Sequence, residues 1–196
     1  MNFLSIDTSS TICSITFCNK SKYTYFEKEN VREHTKLLGP VCKDILNNKL
    51  NSIDFIALSI GPGSYTGLKT SCSFAKGLAF AISKPIIPVC TFDGINYSIK
   101  SKGKYYIALY SHRDYAFYQL FKDGTKSGEP KCSKISNMNN SIVYGYGFKE
   151  ILEDNYFEKK PSSKNIGMIA KEKYNNLTKV SLNDIQPIFL SVGEKK

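Results

Sequence analysis

The sequence has only two histidines, His34 and His112, and its six cysteines, at positions 13, 18, 42, 72, 90 and 132, form no C-x-x-C pair. A structural zinc site needs clustered Cys and His, and a disulfide framework needs cysteines that are dense for the chain length. Several of these cysteines lie inside apolar runs, as buried reduced thiols in a reducing compartment would. Two histidines are too few for a histidine-rich metal site. His34 opens an amphipathic stretch and reads as a cap or interface residue; His112 falls in a turn and reads as solvated. No Ser/His/Asp constellation can be argued from spacing. Long apolar runs are also missing. The most apolar helical stretch, residues 74–82, contains Lys76 and is far too short to span a bilayer. The first seven residues carry no basic segment, and Asp7 interrupts any apolar core, so they do not read as a signal peptide. A cytoplasmic protein without membrane association is the expectation.

What is present is an ordinary globular composition of 196 residues, 41% apolar and 22% charged, enough to bury a core as one domain or two small lobes. The net charge of +10 comes from lysines that greatly outnumber arginines. They are scattered rather than striped, and no base-stacking motif accompanies them. Charge alone therefore does not carry an RNA-binding reading.

Residues 2–7, 12–18 and 23–26 alternate apolar and polar between turn formers and predict an antiparallel meander. From Glu33 to Asn47 the apolar residues recur at helical spacing, with Gly39-Pro40 predicting a kink or a start near Pro40. Residues 53–60 and 86–90 read as strands buried on both faces, with a helix over 64–83 between them and a short one from Thr91. The basic stretch 100–104 is a credible lobe boundary, dividing 1–99 from 100–196. Beyond it, Tyr105–Tyr110 and Tyr115–Phe121 predict a hairpin. Residues 122–141 read as loop, 142–144 as a strand, Phe148 as a helix start and 163–173 as a helix, before Pro187-Ile188-Phe189-Leu190. The class is α/β or α+β with mixed sheets.

Gly61-Pro62-Gly63-Ser64-Tyr65-Thr66-Gly67 follows a strand and opens a helix, as a phosphate loop does. It matches no standard pattern: three residues separate Gly63 from Gly67, Leu68 precedes Lys69, and Thr66 stands where a dinucleotide loop needs glycine. Ser64 reads as the helix N-cap. Asp7-Thr8-Ser9 offers a carboxylate and two hydroxyls, which suit a phosphate or its Mg²⁺ and equally suit a turn. In the helix behind the glycines, Gly67, Ser71, Ala75 and Ala79 form a small-residue ridge, flanked by Leu68, Cys72 and Leu78. A helix apolar nearly all round needs cover on every face, either from the 33–47 helix or from a partner.

These stretches resemble the TsaB (YeaZ) family. Phe3-Leu4-Ser5-Ile6-Asp7-Thr8-Ser9, Glu33-His34-Thr35-Lys36-Leu37-Leu38, Gly61 to Leu68 and Ala75-Lys76-Gly77-Leu78-Ala79 follow its order and spacing, over about residues 1–97. The resemblance implies an actin/Hsp70-like (RNase H-like) fold of two related lobes, the second shortened. It implies a non-catalytic subunit of the machinery that makes N6-threonylcarbamoyladenosine at tRNA position 37. Its partners would be the catalytic homologue TsaD, which it binds and activates, and the ATPase TsaE, with tRNA reached only through the complex. It implies no metal, no catalytic residue and no cofactor of its own; ATP or ADP at the partner interface and a homodimer of the lone chain stay open. In the catalytic homologue an H-x-x-x-H pair binds the metal; Thr91 and Ile95 stand at those positions here, and isoleucine has no donor atom. That argues against a metallopeptidase. The family's paired helices map onto 33–47 and 64–82, giving His34, Leu37, Leu38, Val41, Leu68, Ser71, Cys72, Ala75, Leu78 and Ala79 as the expected interface. Asp7, Thr8, Ser9, Gly61, Gly63, Ser64 and Gly67 are then a vestigial phosphate loop. The alternative is a small ATPase or kinase of the same fold that uses those loops.

Overall fold

The computed structural model describes residues 1–152, 155–174 and 181–192. The meander forms as expected: β1 (Phe3–Asp7), β2 (Cys13–Asn19) and β3 (Lys22–Lys28) pair antiparallel. Helix α1 (His34–Leu46) includes Pro40 within its length and has no separate start there. Pro40 is the seventh residue of the helix, so its missing amide leaves out one bond of the ladder, the one to the Lys36 carbonyl. Strand β4 (Phe55–Ser59), helix α2 (Tyr65–Ile82), strand β5 (Ile86–Val89) and helix α3 (Thr91–Asn96) complete the first half. Strands β4 and β5 add in parallel to β1, so the first sheet is ordered β3-β2-β1-β4-β5.

The second half repeats this order. Strands β6 (Lys104–His112) and β7 (Tyr115–Lys122) form the hairpin, β8 (Thr125–Lys126) and β9 (Lys131–Lys134) pair with β7, and β10 (Val143–Tyr146) and β11 (Tyr156–Glu158) add in parallel to β6. Two segments differ from the sequence reading. The stretch expected as loop contains β8 and β9, short polar edge strands whose pairing is supplied by β7 rather than by their own pattern. The helix expected from Phe148 is a single turn, with the Ile151 and Leu152 amides bonded to the Phe148 carbonyl. Among the described residues, the second sheet thus has no counterpart of the two long helices of the first lobe.

Strand periodicity splits the first sheet into two cores. Leu4, Ile6, Cys13 and Ile15 face α1 and α2, where Leu38, Cys42, Cys72, Ala75 and Ala79 close on them. Phe3, Cys18, Phe55 and Val89 face the other way and meet Ile166, Ile169 and Ala170 of α4 (Ser163–Lys173). That helix comes from the second half of the chain. Conversely, Phe92 and Ile95 of α3 pack on Tyr105, Ile107 and Phe121 of the second sheet. The division at residues 99/100 separates the two sheets but not the helices that cover them.

The docking of α4 has a polar centre. Ser5, Ser14 and Thr16 occupy the α4 face of β1 and β2, all fully buried, and all reach Ser163. Ser163 Oγ lies 2.8 Å from Ser14 Oγ and 2.7 Å from Thr16 Oγ1. The Ser163 amide donates to Ser14 Oγ (3.1 Å), and Ser5 Oγ donates to the Ser163 carbonyl (2.5 Å). A hydroxyl of the sheet therefore satisfies a first-turn amide of the helix. Replacing Ser163 by alanine strands the Thr16 hydroxyl in a dry core and should cost about 1–3 kcal/mol. Ser162→Ala removes the neighbouring serine, whose side chain caps nothing, and should stay within about 0.5 kcal/mol. Equilibrium urea unfolding of the two variants checks the contrast.

Candidate functional site

The glycine turn and the Asp7 turn meet, as the phosphate-loop reading requires, but they fill each other. The Ser64 amide donates to the Ser9 carbonyl (2.7 Å), and Thr8 Oγ1 donates to the Gly67 carbonyl (2.8 Å). A Cβ on Gly63 would sit 2.2 Å from the Ser9 carbonyl oxygen, and one on Gly67 only 2.1 Å from that of Thr8. These glycines let one backbone lie on another, and the Ser64 amide, just before α2, is already used. Ser64 caps α2 as expected, its Oγ accepting from the Gly67 amide (3.3 Å). Gly61 bonds the other side of the turn to α3 through the Thr91 amide (2.8 Å).

Asp7 is 1% exposed. Its Oδ1 accepts from the Ser9 amide (3.0 Å) and Ser9 Oγ (2.7 Å), while Oδ2 has no partner. Burial raises its pKa above the ordinary 3.8, and the bonds from Ser9 only partly oppose that. Ser59 Oγ lies 2.8 Å from Thr91 Oγ1. Thr91 thus belongs to a buried polar chain under the first sheet, and Ile95 to the apolar core on the second. His34 is buried, with Nε2 3.2 Å from the Ser10 carbonyl oxygen, an acceptor that assigns the neutral ring's proton to Nε2. Nδ1 has no partner, and desolvation lowers the ring's pKa. Among the cysteines, burial pushes Cys13 up to about 11 and Cys42 up to about 12, so both stay as inert thiols.

The expected interface residues divide sharply. His34, Leu38, Leu68, Ser71, Cys72, Ala75 and Ala79 are buried within this chain, the small-residue ridge lying on its own sheet. Small side chains there let α2 approach the strands closely. Leu37, Val41 and Leu78 are half-buried at the surface of the α1–α2 pair, as is Phe74. Phe80 is 79% exposed, between exposed Ser73 and Gly77 on one side and Ser83 on the other. A phenylalanine marked only by its apolar character could not be told from a core residue without the sheet's position.

Between the lobes lies a cleft of about 410 Å³, lined by residues 9–11 and 64–65 of the first lobe and 109–111, 117 and 146–147 of the second. At its edge the Tyr146 hydroxyl donates to Glu29 Oε2 (3.0 Å), and Lys160 Nζ pairs with Glu29 Oε1 (2.5 Å). The loop after β3 is tied in this way to the second lobe.

Residues 28–126, half of the chain, match the family model described as TsaD: tRNA N6-adenosine threonylcarbamoyltransferase. The chain belongs to this family, in its TsaB/YeaZ group. It is 36% identical over 92 residues to the Haemophilus influenzae "tRNA threonylcarbamoyladenosine biosynthesis protein TsaB", covering 45% of this chain and 39% of that one. The Escherichia coli protein of that name is 35% identical over 94 residues, covering 46% of this chain and 41% of the relative. The aligned region therefore spans about two fifths of these relatives' length. A Fusobacterium nucleatum tRNA N6-adenosine threonylcarbamoyltransferase is 37% identical over 143 residues, covering 65% of this chain and 41% of that enzyme. In shape, the chain matches a Pseudomonas aeruginosa protein solved as similar to peptidase YeaZ, with a TM-score of 0.78 at 19% identity over 97% of this chain and 99% of that one. The two mixed sheets are the lobes of the YeaZ actin-like fold.

The unpaired Asp7 carboxyl gives a pH test. Its folded pKa is raised, so the native state holds the proton more tightly than the unfolded chain does. The associated stability is full below 3.8 and is lost as pH rises from there through the folded value. Asp7→Asn should flatten this dependence and raise the melting temperature at neutral pH. Thermal unfolding of both proteins from pH 4 to pH 8 reads the difference.

Proposed function

We propose that this chain is a non-catalytic subunit of the machinery that forms N6-threonylcarbamoyladenosine in tRNA, and that it binds and activates the catalytic homologue TsaD in the cytoplasm. The observation that carries the proposal is the α1–α2 surface. Leu37, Val41, Phe74 and Leu78 are half-buried there and Phe80 is exposed, and such an apolar strip on two adjacent helices favours association with a second helical pair. Relatives named TsaB support the assignment to this pathway. Thr91 and Ile95, at the positions where the resemblance expects metal-binding histidines, are buried in a hydroxyl pair and in an apolar core. Both arrangements favour leaving the chemistry to the partner.

The ATPase or kinase alternative needs an open phosphate loop. The Ser64–Ser9 and Thr8–Gly67 bonds occupy that loop from within, and Asp7 does not line the cleft. TsaE and tRNA would then join through the complex rather than through this chain's own loops.

Gel filtration with TsaD from the same organism tests the proposal. A stable complex is expected, and Phe80→Asp should weaken it at least tenfold while changing monomer stability by no more than about 0.5 kcal/mol. Ala75→Asp instead buries an unpaired charge against the sheet and should unfold the monomer, at a cost on the order of 4 kcal/mol or more. No association between two folded proteins would sink the proposal.

A further inference from the structure

Charge is distributed unequally over the α1–α2 pair. On α1, Lys36 is paired with Glu33 (2.6 Å), and Lys43 has Asp44 beside it in the chain. On α2 nothing offsets the cations. Between Asp54 and Asp93 the sequence holds Lys69, Lys76 and Lys84 and no acidic residue. Among the described residues, none of these three lysines forms an ion pair. Lys69 lies 4.2 Å from the centroid of the Tyr65 ring and bonds the Tyr65 hydroxyl, which fixes its ammonium at a groove between the two helices. Thr35 and Leu38 of α1 and Lys69, Thr70, Ser73 and Phe74 of α2 line this groove of about 390 Å³. Its described lining thus carries one cation and three hydroxyls able to donate to an anion.

Gly77 adds an independent feature. It lies inside α2 without a left-handed φ, and an added Cβ would meet nothing within 4 Å. Neither the backbone nor the packing of this chain calls for glycine there, although glycine costs a helix stability relative to alanine. Gly39 of α1 is equally open, but it precedes Pro40, whose ring crowds the residue before it. Gly77 is centred on the outward face, with exposed Ser73 and Ala81 one turn to either side and exposed Phe80 beside it. Glycine at that place lets another backbone come close.

We infer that the outer face of α2 selects an acidic helix. Carboxylates of the partner meet Lys69 and Lys76, one of them entering the groove, and the partner's backbone crosses at Gly77. A second copy of this chain would set lysine against lysine, so the same face disfavours self-association. The inference rests on the reading that the α1–α2 surface binds a partner.

Calorimetric titration with TsaD from the same organism, at about 50 and about 500 mM NaCl, tests it. The Kd should rise about tenfold or more with salt, and Lys69→Glu with Lys76→Glu should raise it as much at the lower salt. Gly77→Ala should raise the melting temperature of the lone chain by about 2–4 °C and yet weaken the complex about tenfold. Light scattering should find self-association of the lone chain no stronger at the lower salt. The salt series uses the unsubstituted chain and holds even where a variant folds poorly. A complex indifferent to salt and to the lysine substitutions, or unaffected by Gly77→Ala, would overturn the inference and leave TsaD binding in place. No complex at either salt would overturn both. Self-association that tightens as salt falls would also overturn it. So would a lysine variant that loses tRNA but keeps TsaD, since the face would then serve RNA.

Discussion

Ser163 enters a face of the first sheet that is apolar at its rim and polar at its centre. Ser5, Ser14 and Thr16 converge on it with no water-exposed alternative. A helix without that serine would leave the Thr16 hydroxyl without a partner in a dry core, while Ser5 and Ser14 hold the backbone of residue 163, so the sheet selects both the helix and its register. Because α4 comes from the second half and α3 covers the second sheet, this contact locks the lobes together. It therefore also sets the cleft, whose walls are the turns after β1 and β10 and the start of α2.

The same economy of space governs the turn that first suggested a phosphate loop. Gly63 and Gly67 are tight because the Asp7 hairpin lies directly on them, with carbonyl oxygens where any Cβ would go. Two loops that could have held an anion between them are bonded to each other. Their closeness turns a potential phosphate site into one wall of an aromatic cleft, and leaves Asp7 as a buried carboxyl whose second oxygen is unsatisfied. The α1–α2 pair sits on the opposite side of the first sheet from α4, so its outward surface is free of the cleft and of the lobe contact.

Much of this was legible in the sequence. The alternation through residues 2–26, the helical spacing of Leu38, Cys42 and Leu46, and the N-cap at Ser64 are local signals, and the structure follows them. The small-residue ridge of α2 was legible as a ridge, but not in its direction. Gly67, Ser71, Ala75 and Ala79 suit a partner helix and a nearby strand equally, and only the position of the sheet decides. Strands β8, β9 and β11 were obscure because their pairing comes from neighbours, not from an apolar alternation. The Ser163 cluster was obscure for another reason: four hydroxyls separated by up to 158 positions carry no local pattern.

The central claim is that this chain assists a reaction it does not perform. The most direct measurement is threonylcarbamoyl transfer to tRNA by TsaD with and without this chain, alongside ATP turnover by the chain alone. The account predicts that transfer rises when the chain is added and that the isolated chain turns over no ATP. Turnover by the isolated chain that disappears in Asp7→Asn, with no effect on TsaD, would contradict it.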